Sequence, residues 1–260
     1  MGNGQSNSAP VPKAGGHGDH WGCIFRNVEE DVLLNMIEAV VSTDAQPEKF
    51  GPGKQDSAYR SAGERLRVCV LVEGKDLISA YPEAQVGAAW PITVREVVPW
   101  ANGLEGQITG DCNGAIISFF DTRFYANGHK YTVGQTYDFE MGALAYTLEP
   151  ATELEGVSDE LGTKVSFKGA CAYMPAGMGN EHADIDDLWF RSPLDGEVQQ
   201  VELEGKRLSI YPITIAIPEH FEMNLPLYAA EHVLGAGMEG IKRGDDVEGF
   251  LWLQGHLREA

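Results

Sequence analysis

The strongest helical pattern of hydrophobic and polar positions runs from residue 27 to residue 42. Val28, Val32, Leu33, Met36, Ile37, Val40 and Val41 fall on one face of a helix. Asn27 is placed to cap it. Glu29, Glu30 and Asp31 stand in the first turn, where the helix dipole favours negative charge. A stripe of this kind is expected to dock on a core.

Beyond residue 63 the period shortens to that of strands. Arg67 to Val72 reads as a buried strand and Ile92 to Val98 as another. Leu104 to Thr109 and Ala115 to Phe120 flank Gly110-Asp111-Cys112-Asn113-Gly114, a hairpin signal. A long strand is expected over Thr136 to Tyr146, and further strands over Lys164 to Gly169, Val198 to Leu203, Arg207 to Ile217 and Val247 to Leu257. Trp189-Phe190 and Phe250-Leu251-Trp252-Leu253 are apolar at successive positions, which marks strands buried on both faces. Pro226 to Leu234 reads as a short helix, with proline at its first position and Gly235 after its last.

Two strand lead-ins resemble each other 110 residues apart: Tyr131-Thr132-Val133-Gly134 before Tyr137, and Ile241-Lys242-Arg243-Gly244 before Val247. Together with 31 glycines in 260 residues, the pattern predicts a mainly β chain. The expected architecture is a barrel or sandwich, built as two small barrels of the oligonucleotide/oligosaccharide-binding type, with one docking amphipathic helix. Residues 1–20, rich in Gly, Ser, Asn and Pro, are expected to form a disordered tail. Residues 21–150 would hold the helix and a first β-rich barrel. Residues 151–260 would hold a second barrel or a continuation of the same sheet. Gly2 and Ser6 fit the N-myristoylation pattern, against a plain Gly/Ser-rich tail.

Charge narrows the partners. The formal net charge is −20, and residues 151–260 carry 20 acidic against 8 basic side chains. A surface this acidic repels phosphate backbones and anionic membranes. No apolar run approaches the ~18 residues needed to span a bilayer. Cys23, Cys69, Cys112 and Cys171 are scattered, without a CxxC pair, as expected of free thiols in a reducing compartment. The location expected is cytoplasmic.

Common enzyme signatures are absent, and Gly235, Gly237 and Gly240 lack the βαβ context of a dinucleotide fingerprint. His182-x-Asp184, a distant His232 and then Arg243 resemble the order seen in the 2-oxoglutarate-dependent oxygenases. That resemblance implies Fe(II) held by His182, Asp184 and His232, with Arg243 pairing a substrate carboxylate. In the same stretch Glu181, Asp184, Asp186 and Asp187 could hold Ca²⁺, against the reading of a solvated acidic loop. His17, His20 and Cys23 offer too few ligands for a zinc tetrahedron.

Basic and aromatic side chains interleave at Arg123, Phe124, Tyr125, His129, Lys130 and Tyr131. On a β scaffold such a loop is a candidate binding platform, against the reading of core aromatics in a hairpin loop. The leading expectation is a non-enzymatic binding or interaction module with no cofactor. Its partner would be a protein or a small ligand, and strand edges could support a homo-oligomer. The alternatives are the Fe(II)-dependent or other metal-dependent enzyme and an acidic mimic of nucleic acid that binds a basic protein.

Overall fold

The computed structural model describes residues 20–44, 46–50, 56–84, 88–153, 155–157, 164–176, 186–217 and 221–258. The expected tail lies outside them apart from His20. Helix α1 spans Glu30–Thr43. It starts three residues after Asn27, with Glu29 at the capping position. Four strands follow: β1 (Glu48–Lys49), β2 (Ser57–Arg60), β3 (Leu66–Glu73) and β4 (Asp76–Ala84). They form one antiparallel sheet in that order.

The next elements are β5 (Ala89–Pro99), β6 (Gly106–Cys112), β7 (Ala115–Asp121), the one-turn helix α2 (Phe124–Asn127) and β8 (Thr136–Pro150). A two-stranded ribbon, β9 (Glu155–Val157) and β10 (Lys164–Ser166), comes next. Then come β11 (Ala172–Pro175), β12 (Asp187–Pro193), β13 (Gln199–Leu203), β14 (Lys206–Ile217), β15 (Phe221–Ala230) and β16 (Asp246–Leu257). The ten strands β5–β8 and β11–β16 join in one sheet. Because β16 pairs with both β7 and β8, strands β5, β6, β7, β16 and β8 close a five-stranded barrel. The ring thus takes its fifth strand from the far end of the chain. The mainly β architecture with a docking helix is as expected. Among the described residues no helix is long and apolar enough to cross a membrane.

Side-chain alternation sorts the strands into two cores. Phe119, Ala143, Leu251 and Leu253 face the barrel interior. Their neighbours Phe120, Leu144 and Trp252 face the opposite way, into a second core under β2–β4 and α1. Both sides of these strands are therefore dry, which explains their runs of consecutive apolar residues. Ile37 and Val40 are the buried positions of α1. Its earlier apolar residue Val32 is 55% exposed.

Pro226 to Leu234 is not a helix. β15 continues through Ala230, and a 3-10 turn covers only Glu231–Val233. Met223, Leu225, Leu227 and Ala229 alternate into the barrel core, and β14 pairs along the whole length of β15. Ladder pairing and burial override the helix propensity of the Ala-Ala-Glu centre.

The 110-residue echo is structural. Gly134 and Gly244 occupy the same left-handed position, at φ +88° and +87°. The Val94 N–H donates to the Gln135 carbonyl at 2.9 Å and the Gly134 N–H to the Val94 carbonyl at 2.7 Å. Leu194 repeats both bonds, with Asp245 at 3.0 Å and Gly244 at 2.9 Å. The pair Thr93 and Thr136 corresponds to Pro193 and Asp246. Val94 with Gly110 corresponds to Leu194 with Ile213. The parallel pair Phe120 and Gln254 corresponds to Tyr228 and Leu144. Ala143 faces Leu253, and exchanging the halves maps this pair onto itself. The two β8-like strands thus cross at a local pseudo-twofold axis.

An alanine at the left-handed glycine carries a steric cost of roughly 1–2 kcal/mol. No atom lies near enough to obstruct its Cβ at either position, so backbone strain is the whole effect. Gly134→Ala and Gly244→Ala should each lower the urea midpoint by a similar amount. A midpoint unchanged in either variant would mean that its turn is not held in this conformation.

Candidate functional site

The loop that joins β7 to β8 carries the interleaved basic and aromatic residues. Most of them are engaged inside the molecule. Phe124 is buried in the barrel core, against Gly106, where a Cβ would come within 2.6 Å of its ring. The Tyr125 hydroxyl donates to Glu48 at 2.9 Å and also meets Arg60. The Tyr131 hydroxyl donates to Asp121 at 2.6 Å. Arg123 lies 3.9 Å from Glu83, and Lys130 donates to Asn127 at 2.8 Å. Of the six, only His129 and Lys130 are exposed. The loop holds the N-terminal sheet onto the barrel.

Glu83 is the hub of that junction. It is fully buried on β4 and pairs with Arg67 at 2.7 Å and Arg60 at 3.2 Å. Arg60 also reaches Glu48 at 3.0 Å. Burial opposes ionisation of Glu83, but Arg67 and Arg60 outweigh it and hold the carboxyl at about 2. Asp121 shows the opposite balance. Burial pushes it up to about 7, although Tyr131 and the Arg123 N–H donate to it. Burial and the nearby Arg123 lower His256 to about 4. Its ring is therefore neutral near pH 7, and its Nδ1 has no hydrogen-bond partner among the described residues. Burial raises the Cys69 thiol to about 12, so it stays protonated and unreactive.

A second polar cluster sits under the first described turn, the 3-10 segment His20–Cys23. The His20 ring stacks on Trp252 at 3.7 Å, and its Nδ1 meets the Tyr146 hydroxyl. That hydroxyl donates to Asp187 at 2.8 Å. Asp186 is buried and accepts from Trp252 Nε1 at 2.8 Å and from Gln107. Asp186 and Asp187 are thus bonded to side chains of the barrel. Glu181, His182 and Asp184 lie outside the described residues, as does His17. His232 Nε2 meets the Gly22 carbonyl at 2.8 Å, and Arg243 is exposed in the turn before β16. Among the described residues, no three His, Cys, Asp or Glu side chains are grouped to hold a metal ion.

A wide cleft opens elsewhere, with a volume of about 700 Å³. Three distant segments line it: Ile24 to Asn27, Gly205 to Arg207, and Ala230 to Leu234. The stacked His20 and the buried Trp21 and Cys23 anchor the first segment. The two-residue turn Glu204-Gly205 between β13 and β14 presents Lys206 and Arg207. The bond from His232 to Gly22 ties the third segment to the first.

Arg26, Lys206, Arg207 and His232 therefore converge in a chain of net charge −20. Arg60, Arg67, Arg95, Arg123, Arg191 and Arg258 each face a carboxylate. Arg26, Lys206 and Arg207 form no ion pair among the described residues. Lys206 instead lies 5.9 Å from the centre of the Phe25 ring. Glu231 is the one acidic side chain among the lining residues. Chemically, the cleft can hold an anionic group by charge-assisted hydrogen bonds.

The internal repeat places this cleft. By the pairing of β7 and β15, Ala230 to His232 correspond to Thr122 to Phe124. In the first half that position lies under Arg60 and Glu83 of the N-terminal sheet. In the second half the same position is open, and it was not legible in the sequence. Arg26 and Lys206 are 180 residues apart, and the one local signal was a Lys-Arg pair beside a Glu-Gly turn. Comparison of the chain with protein-family models, with curated proteins and with solved structures finds no match.

Proposed function

We propose that the protein is a non-enzymatic binding module on a β-barrel scaffold, and that its ligand carries an anionic group seated in the cleft of Arg26, Lys206, Arg207 and His232. The observation that carries this reading is the convergence of cations that form no ion pair among the described residues, in a chain that neutralises most of its other arginines internally. The cleft is of the size that small-molecule sites have. Counting Lys and Arg against Asp and Glu, the lining side chains carry a formal net charge of +2. That suits one or two anionic groups, whereas the acidic remainder of the surface repels a long polyanion. The expected small ligand or protein partner is retained in this reading, and the binding position moves from the 123–131 loop to the cleft.

Isothermal titration with pyrophosphate and with citrate at low salt tests it. A hydrogen bond to a charged group contributes ~1.5–3 kcal/mol. Lys206→Glu and Arg207→Glu should therefore each weaken binding at least ~10-fold, and added salt should weaken it further. Both positions are exposed, so the fold should be retained by circular dichroism. No heat with either anion, or equal affinity in the charge-reversed variants, would overturn the proposal.

A further inference from the structure

We infer that the ligand of the cleft is an amphipathic anion, a free medium-chain carboxylate, whose head sits among Arg26, Lys206 and Arg207 and whose aliphatic arm lies along helix α1. The inference rests on the anion-binding reading above and adds the second half of the ligand.

A groove of about 310 Å³ opens beside the cleft, between the first turns of α1 and the Glu204-Gly205 turn. Val28, Val32, Leu33 and Met36 form its apolar wall. Val32, Leu33 and Met36 lie in the first turns of α1, ahead of the Ile37 and Val40 positions that it buries, and Val28 stands just before the helix. Val32 is 55% exposed, so its side chain is open to a ligand lying along the groove. Groove and cleft are continuous, because Phe25, Asn27 and Lys206 line both. The Lys206 ammonium beside the Phe25 ring stands at the joint.

Charge sets the direction of the ligand. Glu29 and Glu204 line the groove and oppose an anionic head there, whereas a neutral methylene chain is indifferent to them. The head is therefore drawn to the cations and the arm to the valines. A second hollow on the opposite side of the cleft has apolar lining from Val198, Tyr211, Met238 and Ile241. It meets the cleft at Glu231 and Leu234, so a carboxylate guards that joint in place of an ammonium. The net charge of −20 disfavours an anionic bilayer as the source, and a single dissolved amphiphile fits the dimensions.

The test is a chain-length series followed by NMR titration of the full chain, with acetate, hexanoate and decanoate below their aggregation concentrations. Each fully buried methylene brings a ~4-fold gain in affinity. With partial burial, decanoate should bind ~100-fold more tightly than acetate. Val32→Asp, at an exposed position that does not support the core, should flatten the series to within ~3-fold, whereas pyrophosphate, which does not enter the groove, should feel only the screened added charge and weaken by no more than ~3-fold. Lys206→Glu should weaken every member. Equal affinity across the series in the native chain, or a series that survives Val32→Asp, overturns the amphiphile while pyrophosphate binding keeps the cleft reading. A series indifferent to Lys206→Glu overturns the placement of the head. Loss of decanoate binding on self-association of the protein, seen by sedimentation, would assign the groove to a second copy and also overturn the inference. Failure of pyrophosphate and citrate to bind removes the parent reading separately.

Discussion

Glu83→Gln should destabilise the protein by ~3–5 kcal/mol, the cost of breaking a buried ion pair by removing one partner. The substitution keeps shape and one acceptor but removes the only charge that Arg67 and Arg60 share. Arg60 retains Glu48. Arg123, 3.9 Å away on the barrel side, loses its tie to the N-terminal sheet. The sheet should therefore loosen first, which hydrogen exchange of β2–β4 would show ahead of the barrel strands. In urea the midpoint should fall by on the order of 1–3 M. The pH dependence carries the same sign. The folded carboxyl is held at about 2 against an ordinary 4.5. Its contribution is thus complete above pH 4.5 and is lost as pH falls towards 2. Glu83→Gln should lack that acid-side loss. A midpoint equal to that of the native chain, with no change in exchange of β2–β4, would show that the cluster is not a structural hub.

Much of the local structure could be read from the chain because local rules and burial agree there. The Asn113-Gly114 turn, the limits of β14 and β16, and helix α1 all follow from turn chemistry and side-chain period. The doubly buried stretch Leu251-Trp252-Leu253 follows from having a core on each side. The short helix at Pro226 failed because its alternating Leu225, Leu227 and Ala229 also fit a strand, and pairing with β14 decides between them. Glu83 gave no signal. A lone carboxylate in a strand looks like a solvent-facing residue until the two arginines across the sheet are placed beside it. The repeat was visible only at Gly134 and Gly244, the positions where backbone conformation restricts the residue type. Elsewhere the halves share hydrogen-bond pairing and not side chains, so Asp121 corresponds to Ala229 and Phe124 to His232. That divergence separates a sealed junction in one half from an open cleft in the other. The cations of the cleft come from segments that only the closed fold brings together.

Asp121→Asn should stabilise the protein near pH 8 and have little effect near pH 4. Asp121 is 1% exposed, and burial lifts its carboxyl from 3.8 to about 7. Between these values the folded chain binds a proton that the unfolded chain releases. Stability therefore falls as pH rises through this window, and the penalty is complete above pH 7. A shift of this size corresponds to an upper limit of roughly 4 kcal/mol, and hydration of the junction would reduce it. Asparagine has nearly the same shape, accepts from the Arg123 N–H through its oxygen, and can donate its amide to Tyr131. It carries no charge to desolvate at any pH. The native chain thus combines two opposed titrations across one junction, with Glu83 stabilising above pH 4.5 and Asp121 destabilising above pH 4. The difference in urea midpoint between Asp121→Asn and the native chain should grow steadily from pH 4 to pH 8, because the titrations the two chains share, His256 among them, cancel in the comparison. The Asp121→Asn curve should cross above the native one before pH 7. If the two curves run parallel, Asp121 titrates at an ordinary carboxylate value and water reaches the junction between sheet and barrel.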